Sequence, residues 1–208
     1  MYRHIDLNSW NRKPQFNFFK DYDIPFFNIT ANVNVTNLHR YCKSNNLPFF
    51  LSSLFYSIKA VNAVEAFRYR IKGEAVVCYD KIHAGSTILF DDNTFGFCYF
   101  EYVDDLQRFI SLGQKEIELL KSKKVLDPKL DAVDLIHYSS VPWISFTGIQ
   151  HARKFRIGDS IPKLVFGKFF KDGDKLKMPM SVEAHHALMD AYHVSEYLRI
   201  YQGLMDDL

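Results

Sequence analysis

Short segments with the residue pattern of β-strands constrain the fold of this chain more than its predicted helices do. Between Ile29 and Val35, apolar and polar residues alternate with the period of two expected of a half-buried strand. Further strands are predicted at 74–79, 86–90, 94–100, 141–147, 163–170 and 175–184, with turns at 91–93 and 171–174. Because few of these strands are separated by a helix, their order predicts an α+β fold with a mixed, largely antiparallel sheet flanked by helices.

Four helices are predicted from apolar residues spaced three and four apart. They run from Thr36 to about Ser44, over roughly 48–64, from Asp104 to about Lys124, and from Asp190 towards the C-terminus. Thr36 is the predicted cap of the first helix, because threonine hydroxyls accept a hydrogen bond at helix starts. The apolar stripes of these helices would pack against the sheet and form the core.

Length and composition bound the class of protein. The chain has 208 residues, of which 48% are hydrophobic and 16% aromatic, and this predicts a single folded domain over residues 1–208. Lys and Arg number 26 against 24 Asp and Glu, and the resulting net charge of +2 indicates neither a nucleic-acid nor a membrane partner.

The cysteines and the N-terminus indicate a cellular compartment. Cys42, Cys78 and Cys98 are an odd number of cysteines without a CxxC spacing, so we expect reduced thiols. The printed sequence has no apolar signal core at its start and no apolar run of membrane-spanning length. Together these features predict a cytoplasmic protein.

The segment from Pro179 to Val194 carries the most chemistry. A predicted strand ends there in His185 and His186, and a helix starts at Asp190. An imidazole at the exposed end of a strand can act as a general base, and Asp190 can cap the helix that follows. The same residues allow two other interpretations: a structural hydrogen-bond network, or a metal site that includes His193. No metal is expected, since adjacent histidines on a strand point to opposite faces and no zinc-type spacing recurs.

Four segments, in order along the chain, resemble the chloramphenicol acetyltransferase family. The segment His185–Asp190 is similar to the family's His-x-x-x-Asp-Gly signature, and Trp10–Phe16 to its Trp-x-Arg-x-x-x-Phe opening. The segment Val141–Thr147 resembles the family's Pro-Trp-Val-x-Phe motif, and Gly167–Pro179 its penultimate hairpin. Catalytic domains of dihydrolipoyl acyltransferases share the histidine element, so the resemblance implies a CoA-dependent acyltransferase with a two-layer sandwich fold.

The resemblance implies roles for individual catalytic residues. His186 would be the general base, and His185 would point the other way into the structure. Asp190 would pair with Arg12 and hold the catalytic loop without transferring a proton. Acetyl-CoA would be a co-substrate, no metal would take part, and the protein would be a homotrimer with active sites between subunits.

Binding residues follow from the same resemblance. Lys168 would lie near a CoA phosphate and Phe169 would stack on adenine, with Thr147 and Gly148 on the cofactor side. The acceptor alcohol would contact a wall formed partly across the subunit interface, with candidates Phe18, Phe19, Phe26, Phe95 and Val165.

The chain departs from the family pattern at four positions. Gly148 stands where the family has a serine that stabilises the oxyanion, and Val165 where it has a threonine that organises a water. Ala191 replaces the glycine after the motif aspartate, and we expect a negative φ there. Phe19 replaces a tyrosine, which removes one phenolic hydroxyl from the acceptor pocket.

The implied function is acetyl transfer from acetyl-CoA to chloramphenicol or a similar small alcohol, and thereby antibiotic resistance. One alternative is a weakly active or non-catalytic relative that binds CoA or small molecules, because Gly148 and Val165 lack hydroxyls. Another is transfer to a lipoyl thiol, although the sequence contains no lipoyl domain or linker.

Overall fold

One mixed sheet carries most of the predicted strands. The structure, a computed structural model, describes residues 1–129, 131–153 and 159–208. The strands are β1 Tyr2–His4, β2 Phe26–Asn34, β3 Tyr69–Lys72, β4 Ala75–Tyr79, β5 His83–Leu89, β6 Phe95–Phe100, β7 Leu135–Val141, β8 Lys163–Gly167, β9 Phe170–Asp172 and β10 Lys175–His185. The helices are α1 Lys13–Phe19, α2 Thr36–Ser44, α3 Phe49–Ala63, α4 Leu106–Lys123 and α5 Ala191–Asp206, with a 3₁₀ turn at Glu65–Arg68.

The large sheet has the strand order β2-β10-β8-β7-β5-β6, and β9 pairs with β10. The pairs β5–β7 and β7–β8 are parallel, and the other pairs in this sheet are antiparallel. A second sheet contains β1, β4 and β3. The predicted mixed, largely antiparallel sheet is therefore confirmed.

The period of two sorts the residues of β10 onto two faces. Met178, Met180, Val182 and Ala184 are buried in the core against the helices. The side chains between them point to the opposite side of the sheet, which we call the outer face. This assignment matters for function, because β10 carries polar groups on the outer face and leads directly into the histidine pair.

Helix α5 anchors the core beneath β10. Tyr197 and Ser57 of α3 are joined by a hydrogen bond of 2.6 Å, and Ser57 also bonds Tyr138 of β7 at 2.8 Å. All three side chains are buried. A buried hydroxyl that is paired in this way avoids the cost of desolvation, so the network fixes α5 and α3 against the sheet.

One strand prediction was wrong. The run 141–147 is not a strand, because β7 covers Leu135–Val141 and ends before Pro142. Proline has no N–H to donate to a sheet ladder, so the chain leaves the sheet there. Trp143 and Ile144 are both exposed, although their side chains are apolar. The predicted strand 163–170 is also divided, into β8 and the short β9.

Several elements were absent from the prediction. These are β1, α1, β3, β7 and the 3₁₀ turn, none longer than seven residues. Thr36 is the first residue of α2 instead of its cap, which is Val35. The Thr36 hydroxyl instead accepts the Leu176 backbone N–H at 2.8 Å and ties α2 to β10.

Cys42, Cys78 and Cys98 are free, as predicted, and all three are buried. No helix in the described part of the chain is both long enough and apolar enough to cross a membrane.

Candidate active site

His186 lies directly after β10, beside the start of β2. Its backbone N–H donates to the carbonyl oxygen of Pro25 at 2.7 Å and ties the two strand ends together. The imidazole stacks on the Phe19 ring, with centroids 4.1 Å apart and planes 9° from parallel. Phe27 contacts the same imidazole with centroids 4.8 Å apart. Packing against two phenylalanine rings therefore fixes the orientation of the imidazole.

One hydrogen bond selects the tautomer of His186. The ring Nδ1 lies 3.2 Å from the carbonyl oxygen of Met189. Because a carbonyl oxygen can only accept, Nδ1 carries the proton in the neutral ring and Nε2 keeps the free lone pair. Over residues 1–129, 131–153 and 159–208, this is the one side-chain hydrogen bond of His186. Nε2 can therefore accept a proton from a bound hydroxyl.

Arg12 holds the backbone that follows β10. Its Nε donates to the carbonyl oxygen of Ala187 at 3.1 Å, and Nη2 donates to that of His186 at 2.8 Å. Nη1 donates to the Asp190 carboxylate at 2.7 Å. The guanidinium is mostly buried, with 11% of its side chain exposed. The planar fork thus makes three charge-assisted bonds to one loop, a geometry that lysine cannot reproduce.

Asp190 joins this loop to α5. Its carboxylate accepts the Tyr192 backbone N–H at 3.1 Å, so Asp190 is the N-cap of α5, as predicted. Burial acts to raise the pKa of Asp190, but the hydrogen bond and charge of Arg12 outweigh it and hold that pKa below its ordinary value. Asp190 is therefore ionised at neutral pH. Ala191 has a negative φ as the first residue of α5, which confirms the expectation for that departure.

His185 has a different environment from His186. Only 5% of it is exposed, and its Nδ1 accepts the Ala187 backbone N–H at 3.2 Å. Burial, with a contribution from the charge of Arg153, lowers the pKa of His185 to about 4. His185 is therefore neutral at physiological pH and is buried on the outer face of β10, against Phe26.

A buried ion cluster lies on the outer face just before the histidine pair. Arg153 Nε donates to the Glu183 carboxylate, and Arg153 Nη1 donates to Asp159 at 2.8 Å. Burial acts to raise the pKa of Glu183, but hydrogen bonds from His151 and Arg153 lower it to about 2. The Arg153 guanidinium also lies 3.4 Å from the centroid of the Phe26 ring. The cluster holds Arg153 and Asp159 beside Glu183 of β10.

The residues predicted to contact CoA form a second group, at the hairpin after β8. The Lys168 backbone N–H donates to the Ile144 carbonyl oxygen at 2.9 Å, and Ser145 Oγ donates to the Lys168 carbonyl oxygen at 2.7 Å. These bonds bring the Thr147–Gly148 segment to the hairpin. Thr147 and Lys168 are exposed, so both are open to a ligand.

Phe169 packs into an aromatic cluster at this hairpin. Its ring centroid lies 5.4 Å from that of His39 and 5.6 Å from that of Phe49. The Phe169 side chain is 38% exposed, which leaves part of the ring for a ligand. Burial lowers the pKa of His39, so this cluster is neutral at physiological pH.

The two groups lie at opposite ends of the same strand pair. Phe166 pairs with Met180, so Gly167 and His185 are six positions apart along the strands. At about 3.3 Å per residue, the CoA group and the histidine group are roughly 20 Å apart within one chain. An oxyanion donor at the hairpin end, where the Thr147–Gly148 segment lies, is therefore out of reach of that chain's own His186.

The candidate acceptor residues are also divided. Phe18 and Phe19 lie beside His186, with their ring centroids 4.9 Å apart, and Phe26 packs edge-on against His185. Phe95, however, begins β6, four strand spacings from β10, or roughly 19 Å at about 4.8 Å per spacing. The structure therefore places Phe95 far from the His186 of its own chain.

The two positions that lack hydroxyls differ in their surroundings. A side chain at Gly148 would meet no atom within 4 Å, and Gly148 has no positive φ. Val165 is fully buried on the outer face of β8, where it pairs with Ser181 of β10 and Ser139 of β7. A hydroxyl is therefore sterically free to be added at Gly148, whereas one at position 165 would need a partner.

Three features of the site were not predicted from the sequence. They are the contact of Phe27 with His186, the Met189 carbonyl that selects the tautomer, and the Pro25 carbonyl that holds the His186 backbone. Of these three features, only the contact of Phe27 could have been suspected from the sequence, because Phe27 follows Phe26 in an aromatic pair at the start of a strand. The two carbonyl contacts arise from loop backbone geometry, which no residue pattern encodes.

Comparison with known proteins decides the family. Residues 1–202 match the sequence profile of the family described as Chloramphenicol acetyltransferase. The chain belongs to the chloramphenicol acetyltransferase family. Members of this family are acyltransferases, and the chain is an acyltransferase enzyme.

Individual chloramphenicol acetyltransferases are similar along nearly their whole length. The protein of Clostridium butyricum is 31% identical, over 96% of this chain and 93% of its own. That of Clostridium perfringens is 30% identical over the same shares, and that of Escherichia coli is 26% identical over 99% and 94%.

Solved structures agree on the fold. A structure of a chloramphenicol acetyltransferase, 29% identical, covers 99% of this chain and 100% of that chain with a TM-score of 0.86. The cubic core of the pyruvate dehydrogenase multienzyme complex, 16% identical, covers 88% and 82% with a TM-score of 0.70. The predicted two-layer architecture of the chloramphenicol acetyltransferase family is thereby confirmed, and the second likeness concerns the fold alone.

Replacement of Arg12 by lysine tests the loop that carries His186. We expect Arg12→Lys to lower the free energy of unfolding by about 1–3 kcal/mol, because a lysine cannot bond His186 O, Ala187 O and Asp190 together. Chemical denaturation measures this change. Arg3→Lys is the matched control, because Arg3 forms an exposed ion pair with Glu65 and its replacement should change stability by less than about 0.5 kcal/mol. Equal effects of the two substitutions would contradict the role assigned to Arg12.

Proposed function

We propose that this acyltransferase moves the acetyl group of acetyl-CoA to a hydroxyl of chloramphenicol or a similar small alcohol, with His186 as the general base. The single observation that supports this most is the hydrogen bond from Nδ1 to the Met189 carbonyl, which leaves Nε2 unprotonated and free. The names of the similar proteins supply the substrate class. Such an activity in a cell would confer resistance to the antibiotic.

The reaction proceeds in one ternary complex. His186 Nε2 removes the proton from the acceptor hydroxyl, and the alkoxide oxygen attacks the thioester carbonyl carbon. The tetrahedral oxyanion then collapses, the carbon–sulfur bond breaks, and the imidazolium returns the proton to the departing CoA thiolate. Ionised Asp190 and Arg12 position the loop and transfer no proton, and no acyl-enzyme forms. Binding both substrates together supplies the entropic part of the rate enhancement.

We propose further that the active site forms between two copies of the chain, within a homotrimer. The distance of roughly 20 Å between the Thr147–Gly148 segment and His186 supports this, because an oxyanion donor must lie within hydrogen-bond distance of the carbonyl that the deprotonated alcohol attacks. The exposed rings of Phe18, beside the end of β2, and of Phe95, at the start of β6, lie at opposite edges of the sheet. Association of copies would bring the Phe18 ring of one copy beside the Phe95 ring of another. The histidine group of one copy would then face the Lys168, Phe169 and Thr147–Gly148 group of its neighbour.

CoA would lie along the hairpin after β8, with Lys168 near a phosphate and Phe169 against the adenine. The exposure of Lys168 and of part of the Phe169 ring supports this arrangement. The three buried free cysteines support a cytoplasmic location, where thiols stay reduced.

Loss of the imidazole tests the proposed base. We expect His186→Ala to lower kcat with acetyl-CoA and chloramphenicol by about 100- to 10,000-fold, because the variant lacks the base that would take the hydroxyl proton. Release of free CoA thiol, followed with a thiol reagent, measures the rate. His4→Ala is the control, since His4 is exposed on β1. Unchanged turnover in a correctly folded His186→Ala protein would refute the assignment, and favour a relative that binds CoA without chemistry at this residue.

Restoring a hydroxyl tests whether the missing oxyanion donor limits the rate. We expect Gly148→Ser to raise kcat by about 100-fold, because one donor aimed at the oxyanion contributes a factor of that order. A serine fits there without displacing any atom. Gly203→Ser serves as the control, since a side chain at Gly203 also meets nothing within 4 Å. If Gly148→Ser left kcat unchanged, another donor would already serve the oxyanion.

A further inference from the structure

One peptide group connects the imidazole of His186 to a second histidine. The carbonyl oxygen that lies 3.2 Å from His186 Nδ1 belongs to the peptide bond between Met189 and Asp190. The N–H of that same peptide bond, on Asp190, donates to Nδ1 of His193 at 3.2 Å. A continuous chain of hydrogen bonds therefore runs from the His186 ring, through one peptide group, to the His193 ring.

The two ends of this peptide group are coupled. Because a peptide group is planar, a bond that restrains the Asp190 N–H also restrains the direction of the Met189 carbonyl oxygen. Hydrogen bonds in a chain also polarise one another, so an acceptor at the N–H makes the carbonyl oxygen a stronger acceptor at the other end. The tautomer of His186 depends on that carbonyl oxygen, and so it depends indirectly on His193.

The start of α5 holds His193 in place for this contact. His193 is the third residue of the helix, and together with the cap residue Asp190 it forms a capping box. In such a box the side chain at the third helical position accepts the backbone N–H of the cap residue, and that side chain is usually a glutamate or glutamine. An imidazole nitrogen takes this role here.

His193 Nδ1 has two neighbours and can bond only one of them. Asp190 Oδ1 lies 3.0 Å away, but a bond to it would need a proton on Nδ1. The carboxylate of Asp190 already accepts from Arg12 at 2.7 Å and from the Tyr192 N–H at 3.1 Å. Within the part of the chain that the structure describes, the Asp190 N–H has His193 as its one acceptor. The backbone N–H is thus the group that depends on this nitrogen.

We propose that His193 is a positioning residue for the base: its unprotonated Nδ1 accepts the Asp190 N–H and thereby directs the Met189 carbonyl oxygen at Nδ1 of His186. This inference rests on the proposed role of His186 and adds one residue to it. His193 itself touches no substrate and transfers no proton to it.

Three substitutions at position 193 separate an acceptor from a donor and from an apolar side chain. His193→Gln supplies an amide oxygen that can accept the Asp190 N–H, as glutamine does in other capping boxes. His193→Lys can only donate, to the Asp190 carboxylate, and His193→Leu can neither donate nor accept. Arg199→Leu is the matched control, because Arg199 is exposed on the same helix.

The direct measurement is the tautomer of His186 in the purified protein without substrates. Nitrogen chemical shifts in the NMR spectrum distinguish a protonated from an unprotonated ring nitrogen, and the His186→Ala spectrum identifies the His186 signals. We expect neutral His186 to keep its proton on Nδ1 in the wild-type, His193→Gln and Arg199→Leu proteins. In His193→Leu and His193→Lys, part of the population should shift to the Nε2–H form. An unchanged tautomer in these two variants would overturn the inference.

Kinetics give a second measurement. In His193→Leu and His193→Lys, kcat with chloramphenicol should fall about 3- to 10-fold, the effect of one hydrogen bond, and KM for either substrate should change less than about twofold. His193→Gln should restore most of kcat. Equal kcat losses in His193→Gln and His193→Leu would contradict the acceptor role, as would a loss confined to KM.

The two measurements keep this inference distinct from the proposed function. If turnover requires His186 but the His193 variants keep its tautomer, only the inference about His193 fails. If His193→Leu changes the tautomer but the wild-type protein acetylates no alcohol, the proposed acetyl transfer fails and the positioning contact stands.

Discussion

The three-way contact of Arg12 is the interaction on which the rest of the site depends. One guanidinium bonds the carbonyl oxygens of His186 and Ala187 and the carboxylate of Asp190. Each bond draws the loop after β10 towards α1, and the Met189 carbonyl within that loop selects the tautomer of His186. A base whose free nitrogen is set by backbone contacts does not need a carboxylate partner, and so Asp190 is available to hold Arg12 and cap α5.

The proposal of a second copy follows from the position of this loop in the sheet. Strand β10 has His185 at one end, and its partner β8 leads into Lys168 at the other. The extended backbone sets a distance of roughly 20 Å that no side-chain rearrangement can close. In the proposed trimer, the base of one copy would face the Thr147–Gly148 segment of its neighbour.

The sequence predicted the fold class and the long elements because their signals are local. The three- and four-residue spacing of α3 and the alternation of β2 each report one buried face. The prediction failed at 141–147, where apolar residues leave the sheet at Pro142 and expose Trp143. The hydrophobicity of that segment is not explained by the core of a single chain, so a periodicity argument assigned it wrongly.

The candidate site was predicted only in part, for a related reason. The ion pair between Arg12 and Asp190 joins residues 178 positions apart. Neither periodicity nor composition indicates such a pair, and only the resemblance to the family predicted it. The ion cluster of Arg153, Glu183 and Asp159 has no sequence signature either, since Arg153 and Glu183 are 30 positions apart and meet only in the folded protein. Chemistry-bearing residue types can be read from a sequence, whereas charge balance around a buried group requires coordinates.

The central claim, that base and CoA site come from different copies, is tested most directly by active-site complementation. His186→Ala removes the base, and Gly148→Trp blocks the opposite half at a position with open space. Each variant alone should be inactive. When the two variants are co-expressed in equal amounts and assemble randomly into trimers, about a quarter of the active sites should be functional. In those sites the base comes from the Gly148→Trp variant and the intact CoA site from the His186→Ala variant. Thiol release no greater than the sum of the two separate variants would contradict a shared site.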